Sequence, residues 1–253
     1  MGEVMKVYLK TIFVVILILI LNYFLTLYPL VTIKIETLEI FFNLFGVIYA
    51  IIVGFAIYVV LNNYNEIKQY MNCEINELQD LRDYLLYVDE QEEVKKTILE
   101  KIKQYAQSVV QKEWVAMSEY KEVDFDTPPE IYEIIKNVNK IKPANESDSI
   151  ALSRLIETLS HITTYRTNRL TASVDKLPSL LKHLILMLSG VIVFAFTMLP
   201  MENIWVNMSL NAVNAFGIAL IYFVILDLDY PFSGVWSLQP KPFEDFLKRL
   251  ESK

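Results

Sequence analysis

The sequence predicts an all-α membrane protein, with four transmembrane helices arranged as two hairpins flanking a helical cytoplasmic domain. Three observations carry this. The 253 residues are 54% hydrophobic, with a mean hydropathy of +0.34. The charges are clustered: intervals 11–33, 40–65, 183–201 and 203–226 hold no Asp, Glu, Lys or Arg. Each meets or nearly meets the ~20 apolar residues needed to cross a hydrocarbon core of ~30 Å. Between the second and third intervals, the apolar residues recur with helical period.

The first hairpin occupies residues 1–62, with spans at about 10–31 and 38–62. The first apolar run is longer than the usual 7–15-residue core of a signal peptide, so it is expected to remain as an anchor. In the second span, Gly46 and Gly54 share a face and allow close helix approach or a local distortion. Residues 63–180 form the cytoplasmic domain. Ile67, Met71, Ile75, Leu78, Leu81 and Leu85 follow at spacings of three or four, with acids expected on the other side. No Gly or Pro interrupts the passage out of span two, so one long helix should leave the membrane. A second helix is expected over 91–120. Pro129 suits the first position of a short helix over 129–140. Ser147 or Asp148 can cap a helix running to about 174.

The second hairpin covers 181–230, with spans at about 181–200 and 204–227, and a tail follows over 231–253. The outer turns, 32–37 and 200–203, carry almost no Lys or Arg, whereas the middle segment and both ends carry the rest. The positive-inside rule therefore places both termini and the middle segment in the cytoplasm, in a cell membrane. The single cysteine, Cys73, excludes a disulfide framework. A net charge of −7 argues against nucleic acid as a partner.

Catalytic chemistry is not legible. His161 and His183 have no second His at a metal-ligand spacing and read as packed or surface residues. There is no HExxH, no nucleophile elbow and no glycine-rich phosphate loop in a chain of six glycines. The chain is not expected to be an enzyme.

Four features bear on function. Val47, Ile51 and Phe55 form a stripe at spacing four, either packed or lipid-facing surface, or a constriction that gates ions by dewetting. Asn203, Asn207, Asn211 and Asn214 fall within about 80° on one side of the last span. They would either line a water-filled path or bind the helix to neighbours such as Asn43, Tyr49, Ser189 or Thr197. Asp227 and Asp229 stand at a helix C-terminus, where the macrodipole disfavours anions, so each needs an ion-pair partner, a backbone cap or a bound cation. Arg166 and Arg169, spaced i,i+3, either pair with acids or form a positive collar around a vestibule.

Taken in order, "GVIYAIIVGFAIYVVLNNYNEI" in span two, Glu113-Trp114, "RTNRL" at 166–170 with Leu177-Pro178, and "DLDYPFSG" at 227–234 resemble the bestrophin-like membrane family of prokaryotes and plants. The resemblance covers about residues 40–245. It is remotely similar to the bestrophins, pentameric ion channels with four spans per subunit. It implies a ring-shaped homo-oligomer, a pore lined by span two, and a neck at Val47, Ile51 and Phe55 beside Gly54. It implies inorganic ions as permeants and the lipid bilayer as surroundings. Bestrophins follow a Pro-Phe-Gly turn with an acidic run that binds calcium. Here Pro231-Phe232-Ser233-Gly234 is followed by "VWSLQPKP", so no cofactor is expected beyond a possible cation such as calcium at Asp227 and Asp229. Acids outnumber bases in the cytoplasmic segment, so anion selectivity does not carry over. The competing reading is a non-conducting, membrane-anchored interaction module acting through the cytoplasmic helices and an amphipathic tail at 243–250.

Overall fold

The computed structural model describes residues 2–27, 35–119, 124–199 and 203–251. The expected outer turns fall largely on 28–34 and 200–202, outside the described residues. The described residues are almost wholly helical: α1 (Gly2–Leu27), α2 (Ile35–Tyr84), a 3₁₀ turn (Leu85–Tyr87), α3 (Glu92–Ser108), a π turn (Val109–Glu113), α4 (Trp114–Ser118), α5 (Pro129–Val138), α6 (Glu146–Val174), α7 (Ser179–Thr197), α8 (Ile204–Leu228) and α9 (Lys241–Glu251). Two compact units emerge, Met1–Asn62 with Lys176–Trp236, and Asn63–Asp175 with Ser237–Lys253.

The first unit contains the four helices long and apolar enough to cross a membrane, α1, the first part of α2, α7 and α8. α1 begins earlier than the charge pattern implies. Hydrogen bonding continues through Lys6 and Lys10, where the chain need not sit in hydrocarbon. α1 packs along α8, and α8 packs against α7. Phe42 of α2 meets Phe196 of α7 edge-on at 4.7 Å. The helix is unbroken at Gly46 and Gly54, and a Cβ at either would meet nothing within 4 Å. Among the described residues, then, neither the close approach nor the distortion that these glycines allow is made.

The second unit has a conventional apolar core. α2, 50 residues long in all, enters this unit at Asn63, and Ile67, Met71, Ile75, Leu78 and Leu81 are buried along it, with Leu85 of the 3₁₀ turn after them. The acids do not all lie on the opposite side, because Glu74 is wholly buried in this seam. The expected helix over 91–120 is instead α3, a π turn and α4. α5 begins at Pro129, whose missing N–H costs nothing at a first helical position. The cap of α6 also differs from expectation. Asn145 stands outside the helix in an extended conformation and its side chain accepts from Asp148 N. Ser147 and Asp148 lie one and two residues inside the first turn, too late to cap it. The Asp148 carboxylate instead accepts from Asp89 N at 3.0 Å and Ala144 N at 2.8 Å. Those two N–H groups hold its pKa below the ordinary aspartate range. The amphipathic tail is α9, with Phe243 and Phe246 fully buried against the unit's own helices.

Candidate functional site

Three constellations carry the polar chemistry, and one apolar face stands apart from them. On α2, Val47, Ile51 and Phe55 are 59%, 66% and 58% exposed. They share one side of a continuous helix, since a spacing of four residues advances the helix by about 40° past a full turn.

On α8, the structure divides the four asparagines. Asn203 is the N-cap and accepts from Trp205 N at 2.9 Å and Val206 N at 3.3 Å. Asn207 and Asn211 are buried. Asn22 of α1 donates to Asn207 Oδ1 at 3.2 Å, Asn211 donates to the same oxygen at 2.5 Å, and Asn207 donates to Leu199 O at 3.2 Å. Asn214 lies off this stripe, half-buried, with an amide nitrogen that meets no acceptor among the described residues. The partner across the helices is thus Asn22, not the expected Asn43, Tyr49, Ser189 or Thr197. Ser189 donates to Tyr49 Oη at 3.2 Å, and Thr197 donates to Phe194 O at 2.6 Å. One α8 face continues the buried stripe at the same spacing with Ala215 and Ala219.

At the end of α8 both acids are engaged by this chain. Asp227 accepts from Val235 N and Trp236 N at 3.0–3.1 Å. Gly234 has φ +85, and a Cβ there would lie 2.1 Å from Asp227 Oδ1. Only glycine fits both the left-handed backbone and the carboxylate's approach. Asp229 is buried, accepts from Leu177 N at 2.6 Å, and pairs with Lys182 through its other oxygen. Among the described residues no group of three or more His, Cys, Asp or Glu could hold a metal ion.

The third constellation fills the second unit. Arg169 is wholly buried and forks onto Glu74, with Nε to Oε2 at 2.8 Å and Nη2 to Oε1 at 3.2 Å. Its Nη2 also donates to Glu113 Oε2 at 2.7 Å. Tyr105 donates its hydroxyl to Glu74 Oε1 at 2.5 Å. Arg166 donates Nε to Glu113 Oε1 at 2.7 Å, and its Nη atoms reach Asp124 O and Asp126 O at 2.9 Å. Phe243 of α9 lies 5.7 Å beneath the Arg169 guanidinium. The arginines therefore do not form an open positive collar; they are consumed inside the unit. Burial pushes the Glu113 carboxyl up, but the Arg169 and Arg166 charges outweigh it and leave its pKa lowered. Burial, then Glu74 and Glu113, raise the Tyr105 hydroxyl well above its usual range, so it stays a donor. The arrangement binds α2, α3, the π turn and α6 together, and no atom in it is placed as a nucleophile.

Sequence reasoning missed Glu74 and Tyr105. The signal for Glu74 was available. Positions 67, 71, 74, 78, 81 and 85 form an unbroken 4-3 seam, and Glu74 is its one acid. A carboxylate at such a position needs a buried cation. The π turn had no comparable signal. It inserts one extra residue per turn just where Glu113 must reach both arginines.

A family model described as a Bestrophin-like domain matches residues 12–243. The chain belongs to the Bestrophin-like family. Its fold is similar to crystal structures of a bacterial bestrophin homologue from Klebsiella pneumoniae. One, with a point substitution, has a TM-score of 0.78 at 10% identity, covering 98% of each chain. Another, phased on zinc, has a TM-score of 0.75 at 10% identity, covering 99% of this chain and 98% of that one. A third structure, of a membrane protein bearing a different substitution, has a TM-score of 0.75 at 11% identity over 98% of each chain. No curated protein matches the chain significantly. At such identities it is the fold that this Bestrophin-like chain shares.

His161 and His183 are both exposed. Nδ1 of His161 is 3.1 Å from Glu77 Oε1. Nδ1 of His183 donates to Ser179 O at 2.6 Å, because a carbonyl can only accept.

Proposed function

We propose that this Bestrophin-like chain is one subunit of an ion channel, a homo-oligomeric ring that the family resemblance makes a pentamer, with α2 lining the pore. The observation that supports this most is the stripe Val47, Ile51 and Phe55, more than half exposed on an unbroken helix. In a membrane, such a stripe faces either lipid or a lumen enclosed by other copies. In the ring it forms an apolar neck that empties of water when narrow and conducts when it widens. Gly54 removes the side chain that would otherwise stand beside the Phe55 ring. Inorganic ions are the permeants, and no catalytic step is involved. The chain sits in the cell membrane, with both termini and the second unit on the cytoplasmic side.

In this reading the polar constellations are structural. Asp227 and Asp229 fix the turn and the start of α7, and Arg166 and Arg169 brace the second unit. The amphipathic face that an interaction module would present is buried on α9, which favours the channel.

Reconstitution in liposomes tests the proposal. The wild type is expected to pass inorganic ions in flux assays run with both anions and cations. Ile51→Thr, which wets the neck, is expected to raise the flux. A monomer in mild detergent, or no flux of either ion class, would sink it.

A further inference from the structure

Within the first unit, α1 and α7 flank α8 and leave a half-open cavity of about 430 Å³ between them. Its floor is small: Gly190, Ala215 and Ala219. Its walls include Val14, Ile18 and Leu21 of α1. Three hydroxyl-bearing residues line it. Ser189 donates to Tyr49, and Thr197 donates to the Phe194 carbonyl. Apart from Tyr222 the lining is apolar or already bonded, so an occupant must be mainly hydrocarbon.

Length and charge narrow the choice. On α7 the groove runs from Leu186 to Thr197, about 16 Å at 1.5 Å per residue. That matches the ~15 Å half-thickness of a hydrocarbon core of ~30 Å. One end carries cations. Lys10 precedes Val14 by one helical turn, and Lys182 precedes Leu186 by one turn. Lys182 is neutralised by Asp229. Lys10 is exposed. At the other end, Asn22 and Asn207 are bonded to one another and carry no charge.

We infer that this groove binds an anionic phospholipid of the leaflet on the Lys10 side. One acyl chain lies over Gly190, Ala215 and Ala219, and the phosphate rests against Lys10. The inference needs the membrane position of the helices and does not depend on conductance. A juxtamembrane lysine contributes about a fivefold preference for an anionic surface, which sets the size of the effect.

The test uses the purified full chain in detergent, stripped of lipid and titrated with phosphatidylglycerol or phosphatidylcholine, with bound lipid counted by native mass spectrometry. The wild type is expected to retain phosphatidylglycerol in preference to phosphatidylcholine. Lys10→Ala should weaken phosphatidylglycerol retention about fivefold, and Lys10→Arg should restore it. Gly190 lines the groove and a Cβ there meets nothing within 4 Å, so Gly190→Leu places its side chain in the groove and should weaken retention sharply. Equal retention of the two lipids, or no effect of Lys10→Ala, would overturn the anionic assignment. Unchanged retention in Gly190→Leu would overturn the groove as the site. If Gly190→Leu instead alters the oligomeric state and leaves the lipid count unchanged, the groove seats a helix of a second copy and the inference is wrong.

Discussion

The two units solve the same packing problem in opposite ways. In the first, large apolar side chains such as Phe13, Ile16, Ile40 and Ile51 point outward, and much of the interior is small or amide-bearing: Ala56, Asn22, Asn207, Asn211, Ala215. In the second, Ile, Leu and aromatic residues are inside, yet the centre holds two arginines and two glutamates. The difference follows from the solvent. Lipid gives no hydrophobic gain for burying leucine, so close approach and a few hydrogen bonds select the interior. Water gives that gain, and the apolar shell it creates then makes every buried charge depend on its partner. Charge is tolerated where a counter-charge meets it, as at Glu74 and Arg169 or at Asp229 and Lys182, and amides serve where there is none.

The sharpest way to break this contrast is to unbalance the ionic core. Glu74→Ala leaves Arg169 buried without its main carboxylate, and should cost about 3–5 kcal/mol, read as the loss of the thermal unfolding transition of the second unit. Replacing both partners, Glu74→Leu with Arg169→Met, should cost far less, because the buried charge disappears with its partner. A double variant as unstable as Glu74→Ala would show that the network does more than balance charge.

Acid should act on the same core, less severely, because a protonated Glu113 still accepts hydrogen bonds. Its pKa lies below the ordinary value of 4.5 in the folded chain, so the unfolded chain binds the proton first as pH falls. The stabilisation is whole above the ordinary glutamate range and is lost as pH drops through the depressed value. Thermal unfolding between pH 6 and pH 3 checks this. Glu113→Gln should flatten that dependence, and an unchanged profile would contradict the assignment.

Gly234→Ala probes the turn after α8. Forcing a Cβ into a left-handed conformation costs roughly 1–2 kcal/mol, and displacing Asp227 would add to it. The expected result is a lower melting temperature without loss of the ionic core.

The smallest effect is expected inside the membrane. Asn211→Leu removes the hydrogen bonds from the Asn211 amide to Asn207 O and Oδ1, both within α8, in a setting where even interhelical bonds average about 0.6 kcal/mol and reach roughly 1.7. It should change assembly or melting slightly and leave unit conductance unchanged. A change in conductance within an intact oligomer would place α8 on the ion path.

The spans, the long helix α2, the helix beginning at Pro129 and the amphipathic α9 were legible because each depends on local rules: uncharged length, absence of breakers, a fixed φ, helical period. The boundary of α1 and the cap of α6 were not. Charge marks where hydrocarbon ends rather than where helical hydrogen bonding ends, and several residues near 145–148 are capable caps. Only the backbone shows that Asn145 is the residue outside the helix.

The candidate site divides in the same way. The stripe on α2 and the ladder on α8 can be read from spacing, because the helix itself brings those residues into line. What the residues meet cannot. Asn207 finds Asn22, 185 positions away, and Arg169 finds Glu74, 95 positions away. By itself, then, the sequence determined a four-span helical membrane chain, its apolar α2 face and the polar residues that require partners. The tertiary structure alone decided which partners they take, because pairing across helices depends on crossing geometry and on a π turn that rotates Glu113 between two arginines, and neither leaves a periodic trace along the chain.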